Sequence, residues 1–195
     1  LIVFGGPEVP DRSEEFLRKN RFINLACHNE GAQAFVHILE KGFSGSWSEI
    51  PSVSFIDGKN SYMQTKWMPR MRELTSMPSP YLGGIFDPLI HEFPQQRWDG
   101  LWETNRGCPF SCTFCDWGSN TKNRVIRFDL EILHKELEWF AKHKIAFIFC
   151  CDANFGIQKR DVDIANYVAN VKQETGYPVA LSVQNTKNAT ERAYE

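Results

Sequence analysis

Residues 102–118 read WETNRGCPFSCTFCDWG and are the most informative stretch of this chain. They place three cysteines within eight positions at C-x-x-x-C-x-x-C spacing: Cys108, Cys112 and Cys115. Thiolate sulfur is a soft ligand that suits iron-sulfur clusters and zinc, and Gly107 and Pro109 help the backbone fold tightly around the first cysteine. The stretch therefore predicts a loop that binds a metal centre.

Downstream of the cysteines the sequence alternates between helical and strand patterns. Residues 145–151 and 179–183 are short apolar runs of the kind found in buried parallel strands. One amphipathic helix begins after Asp129, a predicted N-cap, and a second spans residues 161–175 and ends at Gly176. Strands separated by helices of this length indicate right-handed crossovers and a parallel sheet, either open or closed into a barrel.

Upstream of the cysteines two further segments differ in character. Residues 1–50 alternate strands with a helix that carries several apolar residues on one face, and they predict the last part of a doubly wound α/β domain. The shared face comprises Ala32, Phe35, Val36 and Leu39. Residues 51–96 predict a connection that contains a short hairpin at 53–58 and then a proline-rich stretch. Residues 97–195 form the third predicted segment.

Composition excludes several classes of function. A net charge of -2 with scattered Lys and Arg gives no basic patch for nucleic acid or for a membrane surface. The longest apolar run falls far short of the ~20 residues that a membrane-spanning helix needs. The six cysteines are clustered rather than spread as a disulfide framework, which favours metal binding in a reducing, cytoplasmic compartment. Because the chain opens at Leu1 and stops inside a starting helix, we expect residues to be missing at both ends.

Three local thiolates leave one iron of a four-iron cluster without a protein ligand, because such a cluster usually takes four cysteines. This pattern resembles the radical S-adenosylmethionine (SAM) superfamily, in which a three-cysteine loop follows the first strand of a TIM-type barrel and an aromatic residue precedes the last cysteine, as Phe114 does here. The resemblance implies a 4Fe-4S cluster on the three cysteines and SAM on the open iron, where one electron generates a 5′-deoxyadenosyl radical. It further implies that Phe114 packs near the adenine, that a flavodoxin or ferredoxin donates the electron, and that a further substrate, not identified by the sequence, is bound.

Two glycine turns extend the resemblance to the cobalamin-binding subgroup. Gly5 and Gly6 follow the first strand, and a Glu30-Gly31 turn opens the helix of the first segment. The subgroup has a Rossmann-like cobalamin-binding domain before the barrel, with a glycine pair near the nucleotide tail of cobalamin. The resemblance implies that residues 1–50 are the C-terminal part of that domain and that residues 97–195 are the first half of the radical SAM barrel.

Polar residues follow two of the predicted barrel strands. Asp152 and Asn154 follow the second, and Gln184, with Asn185 and Lys187, follows the third. Because the carboxyl ends of barrel strands face the bound ligand, we expect Asp152, Asn154 and Gln184 to contact the cofactor. Turn formation and loop solvation are the competing explanations for these residue types. The sequence assigns no catalytic residue.

Three alternatives stay open. The loop could belong to a non-catalytic binding module stabilised by zinc and completed by a distant Cys or His. The protein could be a radical SAM enzyme that does not use cobalamin. An electron carrier would require a fourth cysteine ligand from Cys27, Cys150 or Cys151. We expect the chain to be inactive by itself, because half a barrel leaves sheet edges and apolar faces uncovered.

Overall fold

The computed structural model describes residues 1–115, 124–186 and 191. The chain divides into two compact units. The first unit comprises Leu1–Arg72 and, of the described loop, residues 111–115; the second comprises Glu73–Phe110 and the described residues from 124 onwards. In the part of the chain that the structure describes, no helix is long and apolar enough to span a bilayer.

The first unit contains a four-stranded sheet whose strands lie side by side in chain order: β1 (Val3–Phe4), β2 (Leu25–Cys27), β3 (Val53–Ile56) and β4 (Tyr62–Gln64). Strands β1 and β2 are parallel, and helix α1 (Glu14–Lys19) lies between them in the sequence, as is expected for an α/β domain. The other two pairs are antiparallel. The predicted hairpin is present as β3 and β4, and it extends the first sheet instead of standing apart.

Helix α2 (Ala32–Lys41) buries a different face from the one that the apolar pattern marks. Ala34 and Ile38 pack into the core with strands β2 and β3, whereas Phe35 is 48% exposed and Leu39 57% exposed. Two apolar stripes at helical spacing therefore run along this helix, and periodicity alone does not say which one meets the sheet. Phe35, Val36 and Leu39 share a face as predicted, but that face lies on the surface of the structure.

From residue 97 onwards the second unit has the alternating strand and helix order that the sequence predicts, with a short strand pair added, and a helix within the predicted connection precedes it. Its helices and strands, in chain order, are α3 (Asp87–Glu92), β5 (Asp99–Trp102), β6 (Asn105–Arg106), β7 (Ile126–Arg127), α4 (Leu130–Lys142), β8 (Phe147–Cys150), α5 (Arg160–Thr175) and β9 (Ala180–Ser182). Strands β5, β8 and β9 form a parallel sheet in that order, and β6 and β7 form a short antiparallel pair. The chain is thus a mixed α/β protein with parallel strand pairing in both units.

Local sequence explains where the helices of the second unit lie. The Asp129 carboxylate accepts a hydrogen bond from the backbone N–H of Glu131, so it caps α4 as predicted. Leu133, Leu137 and Phe140 are fully buried along one stripe of that helix. Gly100 of β5 allows the helix to approach the sheet closely, because a Cβ there would stand 3.1 Å from the Phe140 ring.

Register places the ends of the parallel strands at one edge of the sheet. Trp102, the last residue of β5, pairs with Cys150, the last residue of β8, and Phe149 pairs with Ser182 at the end of β9. The segments that leave these strands are therefore neighbours, and they carry the first cysteine of the loop and the polar residues of the sequence analysis.

Candidate functional site

Asp152, which follows β8, accepts four hydrogen bonds from two residues that follow β5. One oxygen, Oδ1, accepts the backbone N–H groups of Thr104 at 2.7 Å and Asn105 at 3.1 Å. The other, Oδ2, accepts the Thr104 hydroxyl and, at 2.7 Å, the Asn105 side-chain amide. Asp152, Thr104 and Asn105 are each at most 1% exposed. The carboxylate therefore fixes the backbone that enters the cysteine loop, and both of its oxygens are already engaged by the protein.

Burial raises the pKa of Asp152 to about 6, against the lowering effect of hydrogen bonds from Thr104 and Asn105. The folded chain therefore holds a proton that the unfolded chain releases near pH 4. We expect the free energy of unfolding to fall by no more than about 3 kcal/mol from this group as pH rises from about 4 to about 6. Denaturant unfolding at several pH values would check this against Asp152→Asn, which lacks the titration; parallel profiles for the two proteins would contradict it.

Asn154 lies against the first cysteine of the loop. Its side-chain Nδ2 donates a hydrogen bond to Cys108 Sγ at 3.0 Å, and the two residues are 1% and 7% exposed. Its Oδ1 is buried and has no hydrogen-bond partner among the described residues. The structure thus brings together Asn154 and Cys108, two of the residues that the sequence selects.

The β6–β7 pair, in which Asn105 pairs with Arg127, lies on either side of the cysteine loop in the sequence. Gly107, just before the first cysteine, has φ of +118°, a backbone conformation that favours glycine. Further along, the backbone N–H of Cys115 donates to the Cys112 carbonyl at 3.2 Å, so these two cysteines bound a tight turn. Phe114, inside that turn, is 81% exposed.

All six cysteines are free thiols. Cys108 belongs to the second unit, and Cys112 and Cys115 belong to the first. Among the described residues no three His, Cys, Asp or Glu side chains form a group that could hold a metal ion as placed. The donor set nevertheless fits an iron-sulfur cluster chemically, because three free thiols stand in one short loop and a buried amide N–H is directed at the first sulfur.

The other two cysteines of the second unit are placed differently. Cys150 is fully buried in the core of that unit, and its burial together with the nearby Asp152 raises the pKa of its thiol. Burial also raises the pKa of Cys151. Cys150 therefore has a core position, whereas Cys151 is half-buried. A raised thiol pKa opposes the thiolate form that binds metal.

Two arginines form contacts next to the residues that begin the cysteine loop. Arg160 donates to the Thr104 carbonyl at 2.7 Å and to the Phe128 carbonyl at 2.6 Å, so it ties the start of α5 to both sides of the loop base. Arg106 forms a salt bridge of 2.6 Å with Glu103. Thr104, Asn105 and Arg160 were missed by sequence reasoning. The polar Thr-Asn pair that begins two residues after the end of β5 was the available signal for the first two.

The segment after β9 contributes backbone contacts. Phe155 exchanges backbone hydrogen bonds with this segment: its N–H donates to the Gln184 carbonyl at 2.8 Å, and its carbonyl accepts from Thr186 at 2.9 Å. The Gln184 side chain is exposed at the same edge of the sheet as Asn154. Lys187 lies outside the described residues.

In the first unit the two glycines after β1 differ. Gly6 has φ of +93° and needs glycine, whereas a Cβ on Gly5 would make ordinary contacts with Cys27 at 3.7 Å. The Glu30 carboxylate, beside Gly31, accepts a hydrogen bond from the Met71 backbone N–H at 2.7 Å and pairs with Arg70 at 3.1 Å. Glu30 therefore fastens the end of the first unit to the start of α2.

Comparison with known proteins supplies the family. No protein-family model matches the chain. The cobalamin-dependent radical SAM methyltransferase TokK of Streptomyces tokunonensis is 40% identical over 199 aligned positions. The 2-(S-pantetheinyl)-carbapenam-3-carboxylate methyltransferase of Streptantibioticus cattleyicolor is likewise 40% identical over 199 positions. Each alignment covers 100% of this chain and 29% of the relative, so the chain spans less than a third of these relatives' length.

Solved structures agree on the fold. The chain superposes on OxsB, a cobalamin-dependent SAM radical enzyme, with a TM-score of 0.62 at 17% identity over 98% of this chain and 27% of that one. It superposes on TsrM, a radical SAM methyltransferase from Kitasatospora setae, with a TM-score of 0.58 at 15% identity over 90% and 35% of the two chains. The resemblance read from the cysteine loop and the glycine turns is therefore confirmed. Along its whole length, and over the 29% of the curated relatives that it spans, the chain is similar to radical SAM methyltransferases of the cobalamin-dependent kind.

Proposed function

We propose that this chain is the part of a cobalamin-dependent radical SAM methyltransferase that holds the 4Fe-4S cluster. The observation that carries the proposal is the three-cysteine loop at the carboxyl ends of parallel strands, with the first sulfur buried and hydrogen-bonded by Asn154. Identity of 40% along the whole chain to TokK, a protein named for this activity, supports it.

In this proposal Cys108, Cys112 and Cys115 bind three irons and leave the fourth open to SAM. When bound, the cluster supplies the single electron that cleaves the sulfonium of SAM. The protein itself holds the cysteine loop in place and excludes water from the start of that loop. Asp152 and Arg160 fix the backbone at residues 104–105, and the first sulfur is withdrawn from water.

The remaining predicted contacts extend the same proposal. Phe114 is a large, 81% exposed apolar ring within the loop, and we assign it to the adenine of SAM. Gln184 stands at the end of β9, at the sheet edge where a ligand of a partial radical SAM barrel (residues 97–195) would bind. An electron donor of the flavodoxin or ferredoxin type and a methyl-accepting substrate complete the set of partners in a cytoplasmic enzyme.

For residues 1–50 we propose the C-terminal part of a Rossmann-like cobalamin-binding domain. Residues 51–96 are the proposed connection, of which the hairpin β3–β4 pairs with the sheet of the first unit and residues from Glu73 onwards belong to the second unit. Support comes from the parallel β1–β2 pair and from Gly6, which has a positive φ and no described atom within 4 Å of the position that a Cβ would take. Gly6 is accordingly the stronger candidate for contact with the nucleotide tail of cobalamin, and Gly5 adjoins it.

The test is SAM cleavage by the full-length protein after anaerobic reconstitution with iron and sulfide. With dithionite as the electron source we expect 5′-deoxyadenosine and methionine in equal amounts, together with a brown protein whose visible absorption changes on addition of SAM. Reconstitution with hydroxocobalamin should add the absorption bands of bound corrinoid. A colourless zinc protein would contradict the proposal, and cleavage without corrinoid binding would favour a radical SAM enzyme that does not use cobalamin.

A further inference from the structure

The contact between Asn154 and Cys108 joins residues 46 positions apart through two buried side chains. Asn154 follows β8 and Cys108 lies beyond the end of β5, and the register of these parallel strands holds the two segments side by side. The neighbouring residue Asp152 independently fixes the β5 side of the contact through Thr104 and Asn105. The N–H···S contact is therefore part of a buried arrangement in which hydrogen bonds hold both strand ends.

Whether the Cys108 sulfur can donate a hydrogen bond determines which end of the Asn154 amide can face it. A free thiol can either donate or accept a hydrogen bond, but a metal-bound thiolate can only accept one. Of the two ends of the Asn154 amide, only the N–H₂ group can donate. With Cys108 as a cluster ligand the observed orientation is thus the one that satisfies the sulfur, and Oδ1 faces away from it.

We propose that Asn154 is a positioning residue that sets the reduction potential of the cluster through its hydrogen bond to Cys108. The inference rests on the proposed function. Hydrogen bonds to the sulfurs are among the factors that determine the potential of iron-sulfur clusters, together with net charge and exposure to solvent. A donated hydrogen bond withdraws negative charge from the thiolate, so it stabilises the reduced, more negative cluster more than the oxidised one.

This assignment differs from direct contact with SAM, which sequence position at a strand end suggests for Asn154. A residue that only contacted SAM would change the affinity for SAM and leave the cluster without SAM unaltered. A residue that only packed the core would change stability. A hydrogen bond to the ligand sulfur instead changes the potential of the cluster in the absence of SAM.

The experiment compares the full-length wild-type protein with Asn154→Leu, which keeps a similar volume without a donor, and with Asn154→Asp, which is isosteric, lacks the amide N–H₂ donor and, when ionised, adds a negative charge that also opposes reduction of the cluster. The exposed Asn166 of α5 provides the matched control, Asn166→Leu. Electron paramagnetic resonance measures the fraction of reduced cluster, without SAM, at a series of applied potentials. Iron and sulfide content is measured on the same samples.

At the wild-type midpoint potential we expect the ratio of reduced to oxidised cluster to fall on the order of tenfold in both Asn154 variants, as removal of one charge-assisted hydrogen bond implies. Asn166→Leu should match wild type. Unchanged ratios in a variant that retains its full iron content would overturn the inference and leave the proposed function standing. Loss of the cluster in both Asn154 variants would also overturn it, because the residue would then be needed for assembly. Wild-type protein that forms no cluster would overturn both proposals.

Discussion

Replacing Cys108 with serine is expected to abolish the iron-sulfur cluster. Serine is a hard, weakly acidic ligand at a position where soft thiolate is required, and its oxygen would remain buried next to Asn154. Loss of a mere supporting contact around a metal ligand costs about 10–100-fold in metal affinity, so loss of the ligand itself should cost more than about 100-fold. Iron and sulfide analysis after anaerobic reconstitution, with the visible spectrum, measures the result.

The matched control is Cys151→Ser, which removes a half-buried thiol from the same unit at a position where we predict no ligand. It should retain its iron and its colour. Should Cys151→Ser, or the same change at Cys150 or Cys27, remove the cluster while Cys108→Ser keeps it, the assignment of the ligands would be wrong and an electron-carrier site would be favoured.

Replacing Asp152 with alanine is expected to have the largest effect on stability. Four buried donors on Thr104 and Asn105 would lose their acceptors at once, and a cavity would form beside them. Unsatisfied buried groups cost about 1–3 kcal/mol each but are not additive, so we expect a loss of about 3–5 kcal/mol in the free energy of unfolding. Cluster content should fall as well, because these residues hold the entrance of the cysteine loop.

Two further variants distinguish loss of the Asp152 hydrogen bonds from loss of a carboxylate in general. Asp163→Ala removes an exposed carboxylate from α5 and should leave stability within about 0.5 kcal/mol of wild type. Asp152→Asn keeps an oxygen that can accept the two backbone N–H groups, so its loss should be smaller than that of Asp152→Ala. Equal stability of Asp152→Ala and wild type in denaturant unfolding would show that this carboxylate does not hold the two strand ends together.

The regular part of the fold could be predicted because its signals are local. Asp129 caps α4, and Gly176 ends α5 at φ of +81°, as their positions in the sequence indicate. The apolar run at residues 145–151 contains strand β8, although only Ile148 and Cys150 of that strand are fully buried. Each of these features depends on residues within a few positions of one another, which is the range over which propensity and periodicity act.

The sheet of the first unit and the buried face of α2 could not be predicted with the same success. The hairpin was found, but its attachment to β2 is a long-range pairing, Ala26 with Ser54, that no local pattern specifies. For α2 the choice between two apolar stripes depends on which residues the sheet presents, and Ala34 gives a weak signal because it is small.

In the candidate site, too, the local feature could be predicted and the long-range contacts could not. The cysteine spacing is local and identified the family, whereas the partners of Asp152 are 47 and 48 positions away. Sequence reasoning placed Asp152 at the right strand end and expected it to face a cofactor. In the structure its oxygens are instead engaged by Thr104 and Asn105, since a carboxylate buried at a strand end binds whatever donors the adjacent strand end offers. Only the fold reveals which donors those are.

The proposed function requires that three cysteines hold a four-iron cluster and leave one iron for SAM. Mössbauer spectroscopy of the full-length protein reconstituted with ⁵⁷Fe, recorded with and without SAM, tests it most directly. We predict that one iron in four changes its isomer shift on addition of SAM while the other three keep theirs. A spectrum in which all four irons are unaffected by SAM, or a protein that binds no iron, would contradict the claim.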